Sequence, residues 1–279
     1  FGGKGANQAV GAARAGGDVC FVNCVGDDDS SHRMVEHFVN EGINTDCVFE
    51  EKGISCGKAL VMIGERGANY LSVAPGANYK LKAQHIDRAE TLIGEAAMVV
   101  LQFEILPETL KYILDVCSRH KTRVLWNFAP AREFDKSYLR KASILVVNEI
   151  EAGMLSGISV AGRESVELAA KELLRLGSET VIITLGAQGS YVAASGVSEW
   201  IPAFNVEAVD TTAAGDVYCG CLAVALSEKW TLADSARFAT AAAAICVTRL
   251  GAQPSAPFRN EIDAFRSKMR GNDATTVNV

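Results

Sequence analysis

The stretch SILVVNEIE, residues 143–151, best indicates how this chain folds. It opens with a near-continuous apolar run, and similar runs occupy residues 98–102, 123–127 and 180–186. Apolar runs of this length suit strands that are covered on both faces, as in a parallel sheet. Amphipathic segments that are typical of helices, such as residues 106–121, separate the runs. The alternation predicts an α/β fold of the doubly wound kind, a three-layer α/β/α sandwich around a mostly parallel sheet.

Three further segments extend this prediction. Residues 19–26 (VCFVNCVG) have the composition of a strand, and residues 30–42 have that of a helix that ends at Gly42. Residues 57–73 contain two β runs around the turn GERGAN, which predicts a hairpin standing off the main sheet. We expect a single domain over residues 1–279, because neither an internal repeat nor a low-complexity linker divides the chain.

The composition argues against several classes of protein. The chain is 49% hydrophobic, with a net charge of -6 and a pI of about 5.4, which argues against a nucleic-acid-binding surface. Its apolar runs are too short to span a membrane, and its start does not resemble a secretion signal. Eight cysteines without a CxxC pair favour reduced thiols, so we expect a cytoplasmic protein that handles small molecules. Because FGGK at residues 1–4 resembles the middle of a chain, we expect a further segment before Phe1.

The glycine-rich start, FGGKGANQAVGAARAG, is the first candidate binding segment. Gly2, Gly3 and Gly5 permit close backbone approach to a ligand, and the helix that follows offers free N–H groups. The dinucleotide pattern G-x-G-x-x-G fails at Gln8, and a Walker A loop fails at residues 53–59, where the spacing is one residue short. On composition alone, a plain glycine-rich turn explains the segment equally well.

Polar residues at the ends of two predicted strands suggest ligand positions. Asn148 and Glu151 supply a carbonyl oxygen and a carboxylate, which suit hydrated magnesium. A helix cap followed by a first-turn glutamate explains these two residues equally well. The turn TLGAQGS, residues 184–190, places two glycines where backbone N–H groups can meet phosphate, although an ordinary hairpin turn has the same composition.

The segment DTTAAGDVYCGCL, residues 210–222, carries the strongest chemical signal. The small residues Ala213, Ala214 and Gly215 leave backbone N–H groups unobstructed at a helix start, where developing negative charge is stabilised. Asp216 can accept the proton of an attacking hydroxyl in phosphoryl transfer. An aspartate that only complements the helix dipole is the alternative, and the lack of packing side chains before it weakens that explanation.

Five motifs occur in an order that resembles the ribokinase-like (PfkB) carbohydrate kinase family. They are GGKGANQA, NxxE, TLGxxG, DTxAAGD and VTRxGAQPS, and the match extends from Phe1 to about Phe265. The resemblance implies the family's three-layer sandwich, with a small β lid at about residues 54–74 that covers the sugar and pairs two subunits into a homodimer. It also implies a transferase that uses ATP, Mg²⁺ and K⁺ to phosphorylate D-ribose on its 5-hydroxyl, giving ribose 5-phosphate.

The resemblance further implies roles for individual residues. Asp216 would be the catalytic base, and an anion hole would be formed by the N–H groups of Ala213, Ala214 and Gly215. The sugar would lie against Asp216 and against Gly3, Lys4, Gly5, Ala6, Asn7 and Glu104. The nucleotide would lie against Asn148, Thr184, Leu185, Gly186, Ala187, Gln188, Gly189, Gly215 and Thr240. Mg²⁺ would be organised through water by Asn148 and Glu151, and K⁺ would be bound by Asp210, Thr212, Cys246, Arg249, Gly251 and Ser255.

Some positions depart from the family pattern. The family's first strand, and the acidic residue that binds the sugar's secondary hydroxyls, would precede Phe1. Val147 and Phe128 stand where the family has proline, and Tyr218 follows the base region where phenylalanine is common. Two alternatives therefore stay open. One is a kinase for another pentose or a nucleoside, for example deoxyribose, and the other is a truncated protein that binds sugar or nucleotide without catalysis.

Overall fold

A computed structural model of the chain describes the backbone of residues 1–63 and 69–275 and the side chains of residues 1–60 and 72–269. Within these ranges the strands are β1 (Asn23–Gly26), β2 (Val48–Glu51), β3 (Lys58–Ile63), β4 (Asn69–Ala74), β5 (Val99–Leu101), β6 (Val124–Asn127), β7 (Ile144–Asn148), β8 (Thr180–Thr184), β9 (Ser190–Ala194) and β10 (Val197–Ile201). The helices are α1 (Lys4–Arg14), α2 (Asp29–Asn40), α3 (Ala83–Glu95), α4 (Pro107–His120), α5 (Glu149–Ser156), α6 (Arg163–Arg175), α7 (Ala214–Ser227), α8 (Leu232–Val247) and α9 (Arg259–Thr275). Among these helices, none has the length and apolar character that a membrane crossing requires.

Six strands form the central sheet in the order β10-β9-β8-β7-β6-β5. Strands β5 to β8 run parallel, and β9 and β10 add an antiparallel hairpin at one edge. The four apolar runs of the sequence supply the four parallel strands. The prediction of a mostly parallel sheet is therefore confirmed.

Alternate residues of the central strands face two different layers of helices. Trp126 of β6 and Val147 of β7 belong to the core beneath α3 to α6, whereas Leu125 and Val146 pack against α1, α7 and α8. All four side chains are at most 2% exposed, so both faces of these strands are covered. The sheet is thus the middle layer of an α/β/α sandwich, as the uninterrupted apolar runs predicted.

Two small sheets lie outside the central one. β1 pairs in parallel with β2, and β3 pairs antiparallel with β4. The predicted strand over residues 19–26 is too long, because the ladder begins only where Val48 lies opposite Asn23, and Cys20 forms an isolated bridge. β3 and β4 occupy the two arms of the predicted hairpin, and its turn, residues 64–68, lies outside the described residues.

Close packing of α1 against α7 brings together residues that are distant in sequence. A Cβ atom on Gly220 of α7 would lie 2.4 Å from the carbonyl oxygen of Gln8, and one on Gly11 of α1 would lie 3.3 Å from Val217 Cα. Glycine at both positions lets the two helix backbones approach closely. The first turns of α1 are thereby held against the first turns of α7.

Candidate active site

Polar side chains collect at the carboxyl edge of the central sheet. Asn127 and Asn148 are the last residues of β6 and β7, and Thr184 is the last residue of β8. Asn148 lies opposite Thr184 in the parallel register, and Gln102 follows β5 directly. Because open α/β sheets bind their ligands at this edge, the residues predicted on β7 and β8 lie where a ligand site is expected.

Asp216 lies in the first turn of α7 and is only 7% exposed. Each of its carboxylate oxygens accepts one amide hydrogen bond, Oδ2 from Asn7 Nδ2 at 2.9 Å and Oδ1 from Gln8 Nε2 at 3.0 Å. Burial raises the pKa of Asp216, whereas the positive charge of Lys4 and the two amide donors lower it. A buried carboxylate with a raised pKa and unused lone pairs is suited to accept a proton.

The start of α7 leaves backbone donors open beside Asp216. Its N-cap residue, Ala213, has a left-handed φ of 63°, and no side chain caps the helix. Ala214 N–H donates to the Thr211 carbonyl at 3.3 Å, whereas the N–H groups of Ala213 and Gly215 donate to no described residue. A Cβ atom on Gly215 would have no neighbour within 4 Å. Residues 213–215, here named the phosphoryl cradle, therefore offer two free donors beside open space, and the third predicted donor is already engaged.

The residues predicted to bind sugar meet at the start of α1. Gly3 is the N-cap residue with a φ of 99°, and Lys4 N–H donates to Glu104 Oε2 at 2.7 Å. Burial raises the pKa of Glu104, and its bond from Lys4 N–H lowers it. Asn7 Oδ1 is buried and accepts no hydrogen bond from a described residue. An unpaired buried acceptor is costly, so this oxygen is a position where a ligand hydroxyl would donate.

Asn148 and Glu151 form the N-terminal cap of α5. Asn148 Oδ1 accepts from Glu151 N–H at 2.8 Å, and Glu151 Oε2 accepts from Asn148 N–H at 2.9 Å. The capping alternative is therefore present, but Glu151 is only 4% exposed and is not a solvated first-turn residue. Burial raises the pKa of Glu151, and the nearby charges of Lys4 and Asp216 act on it in opposite directions. Glu151 thus lies within electrostatic reach of Asp216 and has a second carboxylate oxygen available for a hydrated cation.

The turn at residues 184–190 joins β8 to the antiparallel β9, so it is a hairpin turn. Gly189 has a φ of 95°, and a Cβ atom there would lie 2.0 Å from the Ile201 carbonyl oxygen. Only glycine fits at that position for reasons of packing. A Cβ atom on Gly186, by contrast, would meet nothing within 4 Å. One of the two predicted glycines therefore faces open space, and the other is required by the fold.

Two loops beside α7 contain the residues that the resemblance assigns to potassium. Asp210 accepts two backbone hydrogen bonds, from Thr212 N–H at Oδ1 and from Gly251 N–H at Oδ2, both at 2.9 Å. Cys246 Sγ lies 3.0 Å from Ser255 Oγ and 3.8 Å from the Thr212 carbonyl. These contacts bring five of the six predicted residues together.

Four predicted residues have side chains that are committed to the protein itself. Ala6 and Leu185 are buried in the two cores, so the ligand contacts open to them are those of the backbone. The Thr240 hydroxyl donates to the carbonyl one turn earlier in α8, and this residue is 6% exposed. The Arg249 guanidinium pairs with Glu261 at 2.5 Å, which leaves its backbone to face the loops.

Three polar residues that the sequence analysis did not select complete the network around Asp216. Gln8 Nε2 also donates to Asn127 Oδ1 at 3.1 Å, and Gln8 Oε1 accepts from Gln102 Nε2 at 2.6 Å. A glutamine among the alanines of α1 is the signal that could have identified Gln8. Its partners could not be read from the sequence, because they lie 94, 119 and 208 residues away.

A second group with metal-ligand chemistry lies elsewhere among the described residues. Cys24 Sγ is 3.7 Å from His85 Nδ1, and His85 Nε2 is 3.5 Å from Glu51 Oε1. His85 Nδ1 also accepts from Lys82 N–H at 3.1 Å, so both ring nitrogens have protein partners. These contacts form a hydrogen-bonded link between β1, β2 and α3, and we assign no metal to them.

Known proteins of similar sequence and structure agree with the geometry. The family model "pfkB family carbohydrate kinase" matches residues 1–259. Ribokinase of Haemophilus influenzae is 38% identical over 95% of this chain and 87% of that protein, and deoxyribokinase of Salmonella typhi is 34% identical over 95% and 87%. The structure of Arabidopsis thaliana ribokinase complexed with ribose and ATP matches with a TM-score of 0.88 and 28% identity, over 95% of this chain and 86% of that one. The fold and the grouping of residues 3–7, 148–151 and 210–216 at one edge of the sheet lead to the same conclusion: the chain belongs to the pfkB family of carbohydrate kinases.

Proposed function

We propose that the protein transfers the γ-phosphoryl group of ATP to the 5-hydroxyl of D-ribose, giving ADP and ribose 5-phosphate. The observation that carries the proposal is a buried carboxylate, Asp216, beside the open phosphoryl cradle. The similarity to named ribokinases supports ribose as the acceptor, and the ribose and ATP of the Arabidopsis structure support both substrates.

A sugar alcohol is a weak nucleophile, so its proton must leave as the new bond forms. Asp216 accepts the proton of the 5-hydroxyl through a lone pair that Asn7 and Gln8 leave free. The 5-oxygen then attacks the γ-phosphorus, and the bond between this phosphorus and the bridging oxygen of ADP breaks. The N–H groups of Ala213 and Gly215 stabilise the charge on the transferred group.

The two substrates are held from opposite sides of Asp216. On the sugar side, the unpaired Asn7 Oδ1 accepts from a sugar hydroxyl, and Glu104 provides a second acceptor beside the start of α1. On the nucleotide side, Thr184 and the open position at Gly186 border the phosphates at the carboxyl edge of the sheet. In this proposal the 5-hydroxyl and the γ-phosphoryl group lie on either side of one carboxylate.

Mg²⁺ fits the acidic side of this site. Glu151 has one carboxylate oxygen that the α5 cap does not use, and Asn148 supplies an amide oxygen at the end of β7. Oxygen donors of this kind hold a hydrated Mg²⁺. We propose that Asn148 and Glu151 hold its water shell, and the ion when bound neutralises phosphate charge.

We propose a K⁺ site between the loops at residues 209–212 and 246–255, with carbonyl oxygens as its ligands. Both carboxylate oxygens of Asp210 already accept backbone N–H groups, so its role is to hold the loops together. We propose that the carbonyl groups around Thr212, Cys246 and Gly251 supply the ligands. Turnover should then rise with K⁺ more than with Na⁺, and equal turnover in the two salts would argue against this site.

We propose that the β3–β4 hairpin is a lid and also a contact between two subunits. Lys58 of β3 pairs with Asp28 of the main body at 3.3 Å, which links the base of the hairpin to the fold. Leu60 and Val73 are 64% and 53% exposed, and the register puts them on opposite faces of the hairpin. One apolar face can then cover the sugar while the other meets a second subunit, which sedimentation of the protein would test.

We also propose that residues 1–279 form one kinase domain and that the protein is cytoplasmic. The central sheet and its two helix layers account for the functional residues without a second folding unit. All eight cysteines are free thiols, which fits a reducing compartment.

Coupled measurement of ADP release with ribose, deoxyribose and nucleosides tests the substrate. We expect ribose to give the highest kcat/KM, and a lack of preference for ribose would refute the assignment. The Asp216→Asn variant should lose about 100-fold to 10,000-fold in kcat because it cannot act as a base. Equal activity of this variant and the wild type would refute the role of Asp216.

Deoxyribose is the second candidate substrate. The 34% identity to deoxyribokinase of Salmonella typhi is close to the values for named ribokinases, so identity alone does not separate the two sugars. Asn7 and Glu104, the described side chains that we propose as acceptors for the sugar, can accept from hydroxyls of either sugar. A higher kcat/KM for deoxyribose than for ribose would select this candidate. A protein that binds sugar or nucleotide without turnover would select the non-catalytic alternative.

A further inference from the structure

Gln8 is a buried amide whose polar atoms are all engaged. It lies in the second turn of α1 and is only 2% exposed. Its Nε2 donates to Asp216 Oδ1 at 3.0 Å and to Asn127 Oδ1 at 3.1 Å, and its Oε1 accepts from Gln102 Nε2 at 2.6 Å. The side chain therefore connects Asp216 to residues at the ends of β5 and β6.

Two backbone carbonyls of the central sheet set the direction of these amides. Gln102 Nε2 also reaches the Val100 carbonyl of β5 at 3.5 Å, and Asn127 Nδ2 donates to the Val146 carbonyl of β7 at 3.4 Å. Gln102 then presents a donor to Gln8, and Asn127 presents an acceptor. A reversed Gln8 amide would place Oε1 against the carboxylate of Asp216, and its NH₂ group against the NH₂ group of Gln102. Both contacts are repulsive, so a single orientation is stable.

We propose that Gln8, oriented by Gln102 and Asn127, is the positioning residue that fixes the Asp216 carboxylate toward the sugar hydroxyl. The inference rests on the proposed function, in which Asp216 is the base. Asn7 holds the other carboxylate oxygen, so the two amides together prevent rotation of the carboxylate. One lone pair on each oxygen stays free, and it points where neither amide lies.

The same contact stabilises the ionised form of the base. Burial raises the pKa of Asp216, and the amide donors of Asn7 and Gln8 lower it. Other charged or titratable groups lie close enough to interact electrostatically with Asp216. They are Lys4 of α1, Glu104 after β5, Glu151 of α5, Cys219 of α7 and Cys246 of α8. Loss of the Gln8 donor removes a stabilising contact from the carboxylate only. The pKa of Asp216 therefore rises further, and activity is lost at a higher pH as the solution is made more acidic.

The test compares Gln8→Leu with the wild type in kcat, both KM values and the pH profile. Leucine keeps the approximate volume but removes the donor and the acceptor. We expect kcat to fall about 10-fold to 100-fold, the usual effect of losing a hydrogen bond to a charged group. Both KM values should change less than about threefold. The acidic limb of the kcat profile should move to higher pH.

Two further variants distinguish positioning from packing. Gln102→Leu leaves Gln8 in place but removes the donor to its Oε1, so the effect on kcat and on the acidic limb should have the same direction and a smaller size. Ser235→Ala is the control, because Ser235 is fully buried and its hydroxyl has no partner among the described residues. It should leave kcat and the pH profile unchanged. If Gln8→Leu does not fold, the profile of Gln102→Leu decides the question.

The proposal is overturned if Gln8→Leu and Gln102→Leu melt at lower temperature but keep the wild-type kcat and acidic limb. Such a result would assign Gln8 to core packing alone. Failure of the proposed function looks different. In that case the wild type would prefer another acceptor, or the Asp216→Asn variant would keep its activity. The pH profiles are recorded with the acceptor that the wild type prefers, so the inference is decided in either case.

Discussion

Helices α1 and α7 both begin without a side-chain cap, yet their N-termini make different contacts. Each follows a residue with a positive φ, but only Ala213 (φ 63°, ψ 3°) is in the left-handed helical region, because Gly3 has a φ of 99° and a ψ of 131°. The first N–H of each helix is engaged, because Lys4 N–H donates to the Glu104 carboxylate at 2.7 Å and Ala214 N–H donates to the Thr211 carbonyl at 3.3 Å. The second N–H of each helix, that of Gly5 or Gly215, donates to no described residue, so the helices differ in the group that accepts from the first N–H.

A carboxylate therefore lies at the start of α1, whereas the acceptor at the start of α7 is an uncharged backbone carbonyl. A helix N-terminus attracts negative charge through its free N–H groups and its dipole. At α1 the Glu104 carboxylate provides that charge. At α7 the helix starts with small residues, and an added Cβ atom on Gly215 would lie in open space. Asp216 does not fill the space because Asn7 and Gln8 hold its carboxylate. The comparison fits the proposed function, in which the start of α1 borders the sugar and the start of α7 borders the transferred phosphoryl group.

Gly215→Val should have the largest effect, because it fills the open space of the phosphoryl cradle. The fold tolerates the change, since a Cβ there meets nothing within 4 Å. We expect kcat/KM for ATP to fall about 100-fold to 1000-fold, comparable to the loss of an oxyanion donor, with little change in melting temperature. Steady-state kinetics and thermal melting followed by circular dichroism measure the two quantities.

Gly162→Val is the matched control for Gly215→Val. Gly162 precedes α6, has an extended backbone with a φ of 178°, and also has nothing within 4 Å of an added Cβ. Valine there should leave activity unchanged and should lower the melting temperature slightly, because Gly162 is the N-cap residue of α6, where glycine is preferred over valine. Equal kinetics for the two variants would show that the space at Gly215 is not used by the nucleotide.

Glu104→Leu should have the next largest effect, because it removes the charge that occupies the start of α1. Lys4 N–H then loses its acceptor, and the sugar loses one of the groups that the proposed function assigns to its hydroxyls. We expect the KM for the sugar to rise about 10-fold, with the KM for ATP nearly unchanged. Glu104→Gln keeps an acceptor oxygen for Lys4 N–H, so its KM for the sugar should rise less. A change confined to the KM for ATP would contradict the placement of the sugar at α1.

The sequence predicted the sheet from residues whose signal is local. Runs such as 123–127 and 143–148 are apolar throughout because both faces of β6 and β7 are covered, so composition alone identifies them. The strand over residues 19–26 was predicted too long, because its length is set by the partner β2 and not by its own composition. The edge strands β9 and β10 were not predicted, although the turn between β8 and β9 was selected as a candidate ligand position.

The residues of the candidate site likewise divide into those with a local sequence signal and those without one. Asp216 and residues 213–215 could be selected because small residues before a lone acid at a helix start form a local pattern. Gln8, Gln102 and Asn127 could not, since their role depends on contacts made only after α1 packs on α7 and on the sheet edge. The sequence therefore identifies the candidate base but not the side chains that hold it.

Asp210→Ala should lower kcat moderately, although it alters none of the N–H groups of α7. Asp210 accepts from Thr212 N–H and from Gly251 N–H, so it holds together the loops beside the phosphoryl cradle. We expect kcat to fall about threefold to tenfold and the dependence on K⁺ to weaken, because the loops lose two charge-assisted hydrogen bonds. Titration of K⁺ at constant ionic strength measures this. Asp46→Ala, at an exposed aspartate, is the control, and an unchanged K⁺ response in Asp210→Ala would contradict the prediction.

Ala213→Gly should have the smallest effect, and it tests whether α7 needs the strained residue that α1 avoids. Alanine with a φ of 63° is strained by roughly 1 kcal/mol, whereas glycine adopts this geometry freely. Glycine also gains entropy in the unfolded chain, so the two terms nearly cancel, and we expect the free energy of unfolding to change by less than about 0.5 kcal/mol.

The same substitution at Ala264, an exposed position inside α9, should cost about 1 kcal/mol because no strain is relieved there. Urea unfolding of both variants measures the difference, and equal losses would show that Ala213 carries no strain. A fall in kcat for Ala213→Gly at unchanged stability would then indicate that alanine is kept because it makes the phosphoryl cradle rigid.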